Sequence, residues 1–298
     1  MSISVKNMEN KTERDALPLR VKRTIKLFAG HPIQGSRTKR LVWMLKHFRK
    51  TKYGRYLESI RGFRLGESCF IIGNGPSLTA DDLNILKKNN IDSFAANRIY
   101  RIFPRTDWRP TYFINIDHVL IRDVLDEVNA IPAKEKFFPV QILLNREFKK
   151  KVKSYRLFGN YFKPSTAEFS LDCTDKIRGR GCVTISAIQL AAHMGYRQIY
   201  LLGIDHSFTS ETDAKGNTTI NSDVKKNYFC DDYDDDIKTE VKYHTNDTTL
   251  GYADAQAFYS KNGVTIKNAS RTTRLEVFPK ISFEEAVEEI SKQKRSAL

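Results

Sequence analysis

The chain has 298 residues, and 40% of them are hydrophobic, enough for one large domain or two small ones with a sizeable core. This composition excludes global disorder, and the longest apolar runs are far shorter than the ~20 residues of a membrane span. The sequence starts without the apolar core of a signal peptide, and its four cysteines form no Cys-x-x-Cys pair. We therefore expect a protein of the reducing cytoplasm, without a zinc site or a disulfide scaffold.

Positive charge is concentrated at the start of the chain. The formal net charge is +15, and residues 1–66 hold 17 Lys/Arg and 4 Asp/Glu, whereas the rest of the chain holds 33 and 31. Such asymmetry indicates an anionic partner. We expect an anionic membrane surface rather than nucleic acid, because no recognised nucleic-acid-binding motif accompanies the charge. A peripheral position at the inner face of the membrane would follow.

Apolar and basic residues alternate over residues 39–50, around Trp43. The pattern fits a basic amphipathic helix lying on anionic lipid, with Trp43 at the interface. It fits equally a helix that docks on the protein body and exposes a solvated basic face. The sequence alone leaves both interpretations open.

Taken in chain order, a helical stretch (36–62) is followed by alternating strands and helices. The predicted strands are 68–73, 91–96, 110–116, 136–143, 198–204, 264–268 and a strand-like 275–278. The predicted helices are 80–89, 119–128, 184–194, 250–261 and one from about residue 282. The alternation predicts an α/β fold, a Rossmann-like doubly wound and mostly parallel sheet. Residues 1–66 would form a basic, partly helical N-terminal extension, and residues 67–298 a Rossmann-like catalytic domain.

A polar segment interrupts the alternation at about residues 207–248. It contains the acidic run 231–236 and too few apolar residues for a core. Long loops in compact domains are often functional, so we expect an acidic, lid-like insertion. The acidic run itself is more typical of a solvated loop than of a metal cage.

The most informative segment is the turn Gly73-Asn74-Gly75-Pro76-Ser77, which follows the first predicted strand. Gly73 and Gly75 permit positive φ and close backbone approach, and Pro76 suits the start of a helix. A ligand phosphate could then bind exposed backbone N–H groups at the helix N-terminus. The spacing matches neither Gly-x-Gly-x-x-Gly nor a Walker motif, and a tight connection without a ligand is the alternative.

Polar residues follow the ends of four predicted strands. They are Asn74, Asn97, Asn115 with Asp117, and Asp205 with His206. Because ligands bind at the carboxyl ends of the strands in a doubly wound sheet, we expect one shared site there. Asp117 and Asp205 could hold a divalent cation such as Mg²⁺, or could serve only as turn and helix caps.

A second anion site is predicted where Arg178-Gly-Arg180-Gly precedes an apolar helix that starts near Thr184. Arginine forks and the N-terminal amides of a helix both bind anions, although a flexible surface loop would give the same pattern. A histidine is the usual general base for a hydroxyl. His206, at a strand end, and His244, after the acidic insertion, are the candidates.

The segments Ile71 to Leu78, Asn97 to Tyr100, Asn115 and Gly195 to Asp205 resemble one superfamily. It joins bacterial lipo-oligosaccharide sialyltransferases, the Maf flagellin glycosyltransferases and an MptE-like family named for an archaeal 6-hydroxymethylpterin diphosphokinase. The likeness covers about residues 68–280. It implies that Asn74, Asn97 and Asn115 contact a CMP-sugar, that Arg180 and Thr184 are the arginine and hydroxyl before the long helix, and that His244 is the base.

The resemblance implies a cytoplasmic glycosyltransferase that uses a nucleotide-activated sugar, most simply CMP-linked. Its acceptor would be a surface glycan or a lipid-linked precursor, as in lipopolysaccharide or capsule biosynthesis. A second hypothesis is an MptE-like pyrophosphokinase that uses ATP and Mg²⁺ through Asp117 and Asp205. A third is a binding subunit without catalytic activity, recruited to a membrane by its basic N-terminus.

Overall fold

The computed structural model describes residues 36–117, 121, 123–159, 169–174, 177, 182–213, 217–235 and 245–296. The strands are β1 (Ser68–Ile72), β2 (Ser93–Ala96), β3 (Tyr112–Ile114), β4 (Glu135–Pro139), β5 (Arg156–Phe158), β6 (Gln198–Leu202), β7 (Ser210–Thr212), β8 (Thr218–Ile220) and β9 (Thr265–Asn268). The α-helices are α1 (Ser36–Lys46), α2 (Lys52–Ser59), α3 (Ala80–Lys88), α4 (Leu125–Ala130), α5 (Phe148–Lys151), α6 (Val183–Met194), α7 (Thr245–Lys261) and α8 (Phe283–Ser296). Short 3₁₀ helices span Phe48–Lys50, Ile99–Arg105 and Val140–Leu144. Among the described helices, none combines the length and the apolar character that crossing a membrane requires.

Seven strands form one parallel sheet in the order β5-β4-β3-β2-β1-β6-β9, and β7 pairs with β8 in a separate antiparallel hairpin. The predicted α/β, Rossmann-like doubly wound class is confirmed. The chain moves outward from β1 to β5 and then returns to place β6 on the other side of β1. The strand order therefore reverses between β1 and β6, and such a reversal opens a crevice at the carboxyl ends of the two strands.

Several elements differ from the sequence prediction: the hairpin of β7 and β8 and the short helix α5 were not predicted, and the predicted helix 119–128 is observed as α4, Leu125–Ala130. The predicted strand 136–143 ends at Pro139, and Val140–Leu144 continues as a 3₁₀ helix. Residues 275–278 bury Leu275 and Phe278, but their backbone forms no strand, and near them only a single bridge joins Asn268 to Lys280. Strand β5 was not predicted, because three residues are too few to give a periodic pattern.

The basic segment that precedes β1 packs on the sheet domain where it is described. Leu41, Met44, Phe48 and Leu57 are at most 6% exposed and belong to the same hydrophobic core as the sheet. Trp43 is an exception, with 53% of its surface exposed. The docked-helix interpretation therefore fits α1, since most of the apolar side chains that would have faced lipid face the core.

The same segment also caps helix α6. The N–H groups of Gly62, Arg64 and Gly66 donate to the carbonyl oxygens of His193, Met194 and Gly195, at 3.0, 2.6 and 3.0 Å. The last carbonyls of a helix have no partner within the helix, so these bonds satisfy groups that would otherwise be buried without one. Residues 62–66 thus hold in place the C-terminal end of helix α6.

We predict that removing a core contact from this segment destabilises the whole fold. Leu57 is fully buried, so Leu57→Ala should lower the free energy of unfolding by about 2–5 kcal/mol through lost burial and a cavity. Leu65→Ala is the matched control, because Leu65 is 73% exposed and should change stability by no more than about 0.5 kcal/mol. Urea denaturation of the two variants measures this. Equal, small effects would mean that the segment is not part of the core.

Candidate functional site

A cleft of about 360 Å³ lies at the carboxyl ends of β1, β2, β3 and β6, where the strand order reverses. Residues that the sequence predicted for the site form much of its lining: Gly73, Asn74, Gly75, Asn97, Asp117, Thr184, Asp205 and His206. The lining also includes residues that the sequence did not single out: Ile72, Ala96, Ile116, Cys182, Val183, Gly203, Ile204, Ser207, Phe208, Asn227, Tyr228, Thr245, Thr248 and Tyr252. The cleft thus unites segments from across the domain.

Close approach of two backbones explains the glycines of the first turn. A methyl group on Gly73 would overlap with the carbonyl oxygen of Gly203 and the side chain of Ile204, and one on Gly75 would lie 2.6 Å from Asp205 Oδ2. Neither Gly73 nor Gly75 has a positive φ, so that part of the sequence interpretation is wrong. Glycine is needed here because the loop after β6 packs directly against the loop after β1.

Asp205 holds the first turn, residues 73–77, in place through Ser77. Its carboxylate is 3% exposed and accepts hydrogen bonds from the Ser77 N–H, at 2.7 Å, and from the Ser77 hydroxyl. Burial raises the pKa of Asp205, and the bonds from Ser77 oppose that rise. An aspartate that binds two protein donors in this way is a structural anchor for the turn.

The backbone donors of this turn are largely used inside the protein. The N–H groups of Gly73 and Gly75 donate to the carbonyl oxygens of Leu202 and Gly203, and that of Leu78 donates to Gly75. The Gly75–Leu78 bond closes a β-turn with Pro76 at its second position, and helix α3 begins only at Ala80. The expectation of a phosphate on exposed amides here is therefore not supported, and Pro76 does not start a helix.

The three asparagines lie at neighbouring strand ends, and two of them, Asn97 and Asn115, are hydrogen-bonded to each other. Asn74 donates from Nδ2 to the carbonyl of Ala96, at 3.2 Å, and its buried Oδ1 has no hydrogen-bond partner. Asn115 is fully buried and does not line the cleft; its Nδ2 donates to Asn97 Oδ1, at 3.2 Å, and its Oδ1 accepts the Asp117 N–H, at 2.6 Å. Asn97 has a φ of 55°, a conformation that asparagine tolerates better than most residues. Asn115 thus positions two residues of the lining.

The N-terminus of helix α6 opens into the cleft through Val183 and Thr184. The preceding residue, Cys182, gives the first turn no side-chain cap. The first amides of a helix have no partner within it and carry a partial positive charge, so they are suited to bind an anion. Arg180, which the sequence assigned to the same anion site, lies outside the described residues.

His206 is held in the cleft wall with a φ of 52°. Its Nε2 lies 2.7 Å from the Thr249 hydroxyl, which itself donates to the Thr245 carbonyl at 2.9 Å. A hydroxyl has one hydrogen, so this network assigns the His206 proton to Nε2 and the lone pair to Nδ1. Burial lowers the pKa of His206 to about 4, which keeps the ring neutral near pH 7. The other candidate base, His244, lies outside the described residues.

The predicted lid region contributes an aromatic wall. The rings of Tyr228 and Tyr233 stack with centroids 3.8 Å apart and an interplanar angle of 14°, and the Arg98 guanidinium lies 5.6 Å from the Tyr233 ring. The Phe229 N–H donates to the Asn74 carbonyl at 3.1 Å, which ties this wall to the first turn. Tyr228 lines the cleft, but nothing in its polar sequence context distinguished it from other loop residues.

The described residues are poorly arranged for a metal ion. Within them, no three His, Cys, Asp or Glu side chains come together as a metal-binding group would. Both carboxylate oxygens of Asp205 accept bonds from Ser77, which leaves Asp117 as the other carboxylate of the lining. The pairing of Asp117 and Asp205 around Mg²⁺ therefore does not fit the geometry of Asp205.

Comparison with solved structures places the fold in a known class. A Maf glycosyltransferase from Magnetospirillum magneticum AMB-1 matches with a TM-score of 0.50 and 15% identity, over 82% of this chain and 41% of that one. The sialyltransferase CstII from Campylobacter jejuni, solved in complex with a substrate analogue, cytidine-5'-monophosphate, matches with a TM-score of 0.46 and 15% identity, over 73% and 86% of the two chains. No curated protein gives a significant match. The likeness to the Maf structure is one of fold, and this chain spans less than half of that protein's length.

The family follows from a sequence comparison. The model of the family described as 6-hydroxymethylpterin diphosphokinase MptE-like matches residues 39–211, which is more than half of the chain. The chain belongs to the MptE-like family. The superfamily predicted from the strand-end motifs is thereby confirmed. The match begins within α1, so the family's shared region includes the docked basic segment.

We predict that Gly73→Ala destabilises the protein more than the same change at a glycine in open space. At Gly73 the new methyl group would overlap with a backbone oxygen, and such overpacking should cost about 3 kcal/mol or more. Gly62→Ala is the control, because its φ is 67° with nothing within 4 Å, so only the strain of roughly 1–2 kcal/mol applies. Thermal and urea denaturation compare the two. A smaller loss at Gly73 than at Gly62 would contradict the close approach of the two loops.

A second prediction concerns pH. The unfolded chain protonates His206 near its ordinary pKa of 6.5, whereas the folded protein does so only near 4. The unfolded state thus binds more protons at His206 between these values, so the contribution of His206 to the free energy of unfolding falls as the pH falls from 6.5 to 4. The glutamine of His206→Gln cannot titrate. The decrease in the free energy of unfolding of this variant from pH 6.5 to 4 should therefore be smaller than that of the wild type by roughly 2–3 kcal/mol. Urea titrations at several pH values measure the difference, and parallel curves for the two proteins would refute the burial of a neutral His206.

Proposed function

We propose that this protein is a glycosyltransferase that transfers a sugar from a nucleotide-activated donor, CMP-linked, to a surface-glycan acceptor. The observation that carries the proposal is the N-terminus of helix α6, which opens at Val183 and Thr184 into a cleft at the reversal of the strand order. An anionic leaving group needs such preorganised donors. The choice of cytidine rests on the likeness of Asn74, Asn97 and Asn115 to the sialyltransferase motif.

In this proposal the phosphate of the donor lies at the start of α6 and not at the first turn. Thr184 adds a hydroxyl there, and Arg180 would add a guanidinium fork. The first turn supplies side-chain contacts through Asn74, whose buried Oδ1 lacks a protein partner and could accept a bond from the nucleotide. The ring of Tyr228, backed by Tyr233, offers a flat surface for the base, worth roughly 0.5–1.5 kcal/mol if it stacks.

The chemistry would proceed by attack of an acceptor hydroxyl on the anomeric carbon of the donor sugar. The bond between that carbon and the phosphate oxygen breaks, and the nucleoside monophosphate leaves with the electron pair. The acceptor proton passes to a histidine, either His206 or His244. His206 is favoured by its position in the cleft and by a neutral ring with a free Nδ1 lone pair. A base with a pKa of about 4 is weak, so we expect the bound anion to raise the pKa of His206 in the complex.

The acceptor would be a glycan or a lipid-linked precursor at the inner face of the membrane. The basic N-terminal segment supports this, since it carries 17 Lys/Arg and only 4 Asp/Glu over residues 1–66. The domain boundary near residue 66 and the lid-like role of residues 207–248 belong to the same proposal. The hydrogen bond from the Phe229 N–H to the Asn74 carbonyl supports the lid-like role, because it couples the insertion to the turn beside the cleft.

Membership of the MptE-like family favours a second candidate, a pyrophosphokinase that uses ATP and Mg²⁺. This function needs carboxylates that hold the metal on the phosphates of the nucleotide. Asp117 also lines the cleft, but both carboxylate oxygens of Asp205 already accept bonds from Ser77. We therefore rank the glycosyltransferase first, and a binding subunit without catalytic activity third.

We predict that CMP and CDP raise the melting temperature without added metal. Binding to the native state adds about 2.7 kcal/mol of stability at a hundredfold excess over Kd. Asn74→Ala should weaken the binding of CMP at least about tenfold, which is the effect of losing one hydrogen bond to a ligand. Asn262→Ala is the matched control, because Asn262 also donates one bond to a backbone carbonyl, but on an exposed surface outside the cleft. Thermal-shift titrations with CMP, CDP, UDP, GDP and ATP, each with and without Mg²⁺, supply the data.

The pattern of stabilisation decides among the three functions. Stabilisation by ATP alone, and only with Mg²⁺, would favour the pyrophosphokinase. No response to any nucleotide would favour the binding subunit. Normal CMP affinity in Asn74→Ala would remove the first turn from the proposed donor site even if the enzyme were a glycosyltransferase.

A further inference from the structure

A second pocket lies apart from the cleft, between helix α1 and the 3₁₀ helix Val140–Leu144. Its volume is about 250 Å³, and it is lined by Arg40, Leu41, Met44, Leu143, Leu144, Asn145, Arg146 and Lys149. It shares no lining residue with the cleft. The 3₁₀ helix directly follows β4, so the pocket begins at the edge of the sheet that also carries the cleft.

The polar side of this pocket carries three cations. Arg40, Arg146 and Lys149 are exposed, and none of them forms an ion pair with a described carboxylate. The nearest acid in the sequence, Glu147, pairs instead with Lys150, at 2.9 Å. Three like charges around one cavity repel each other unless an anion lies between them.

An orphaned buried donor lies in the same lining. Asn145 Oδ1 accepts the Glu147 N–H at 2.9 Å, which fixes the orientation of the amide. Its Nδ2 is buried and has no hydrogen-bond partner. A buried N–H group without a partner is costly, and an anion between Arg40, Arg146 and Lys149 would supply the missing acceptor. The cations and the amide therefore point to the same kind of ligand.

The remaining side chains of the pocket lining are apolar. Leu41 and Met44 are buried beneath it, and Leu143 and Leu144 are half-buried. Trp43, on the same helix and 53% exposed, could enter a lipid interface, where tryptophan is enriched. A free inorganic anion would contact only the cations and the amide, whereas a phospholipid would also place its chains against the half-buried Leu143 and Leu144.

We propose that this pocket binds the phosphate group of an anionic lipid, with Arg40, Arg146 and Lys149 as its charge partners and Asn145 Nδ2 as a donor. The site does not depend on the proposed glycosyltransferase activity. It specifies how the basic segment would recognise a membrane: by one phosphate in a built pocket, in addition to the diffuse attraction of many lysines and arginines. It would also bring the cleft edge of the sheet towards the lipid surface.

The test compares two double variants that lose the same charge. Arg40→Ala with Lys149→Ala removes two pocket cations, whereas Lys39→Ala with Lys46→Ala removes two exposed lysines of α1 that do not line the pocket. The full chain is sedimented with phosphatidylcholine vesicles that contain phosphatidate. We expect the pocket variant to bind at least about tenfold more weakly than the control variant, the loss that charge-assisted hydrogen bonds produce.

The proposal is overturned if the two double variants bind vesicles equally weakly. It is also overturned if the wild-type protein binds neither vesicles nor inorganic phosphate. Calorimetric titration with inorganic phosphate separates the two sources of the ligand. If phosphate binds and depends on Arg40 and Lys149 while vesicles do not bind, the pocket serves a soluble phosphate. Asn145→Asp keeps the acceptor for the Glu147 N–H, removes the donor and adds a negative charge, so it should weaken the binding of both phosphate and vesicles. Unchanged binding in Asn145→Asp would remove the amide from the site.

Discussion

The buried pair of Asp205 and Ser77 is the constraint on which the rest of the cleft depends. These residues belong to the loops after β6 and β1, the two strands between which the strand order reverses. A carboxylate that is 3% exposed must be satisfied by protein donors, and Ser77 provides two of them. Glycine at positions 73 and 75 lets the loops approach closely enough for this bond. Most amides of the first turn, those of Gly73, Gly75, Ser77 and Leu78, therefore already donate inside the protein.

In the proposed function, the anion therefore binds at the N-terminus of helix α6 and not at the first turn. Helix α6 is apolar and almost fully buried, so its N-terminal dipole acts in a region of low dielectric constant. Residues 62–66 fix its C-terminal end by three backbone bonds. The basic N-terminal segment therefore supports the cleft from a distance, whether or not it also contacts a membrane.

The fold was largely predictable because its signals are local. The apolar runs of β1 and β6, each bounded by turn residues, predict buried parallel strands without knowledge of their partners. The polar residues at strand ends predict where a cleft lies, because parallel strands share one edge. Their gathering in one lining follows from topology, although Asn115 turned inwards to position its neighbours.

The features that the sequence did not reveal depend on contacts distant in the chain. Ser77 and Asp205 are 128 positions apart, and no local pattern indicates that one consumes the hydrogen-bonding capacity of the other. Tyr228 lies in a polar insertion whose composition gives no periodicity, yet its stacking on Tyr233 creates a wall of the cleft. Strand β5 and the pocket beside α1 escaped notice for the same reason, since each arises from packing between segments.

The most direct test of the central claim is to locate the amides that respond when CMP is added to the ¹⁵N-labelled protein. The account predicts a large chemical-shift change at the Thr184 and Val183 amides, together with a slowing of their hydrogen exchange. The Ser77 amide should change little, because its hydrogen bond to Asp205 is already formed. Large changes at Ser77 and Gly75 with none at Thr184 would contradict the account and return the phosphate to the first turn.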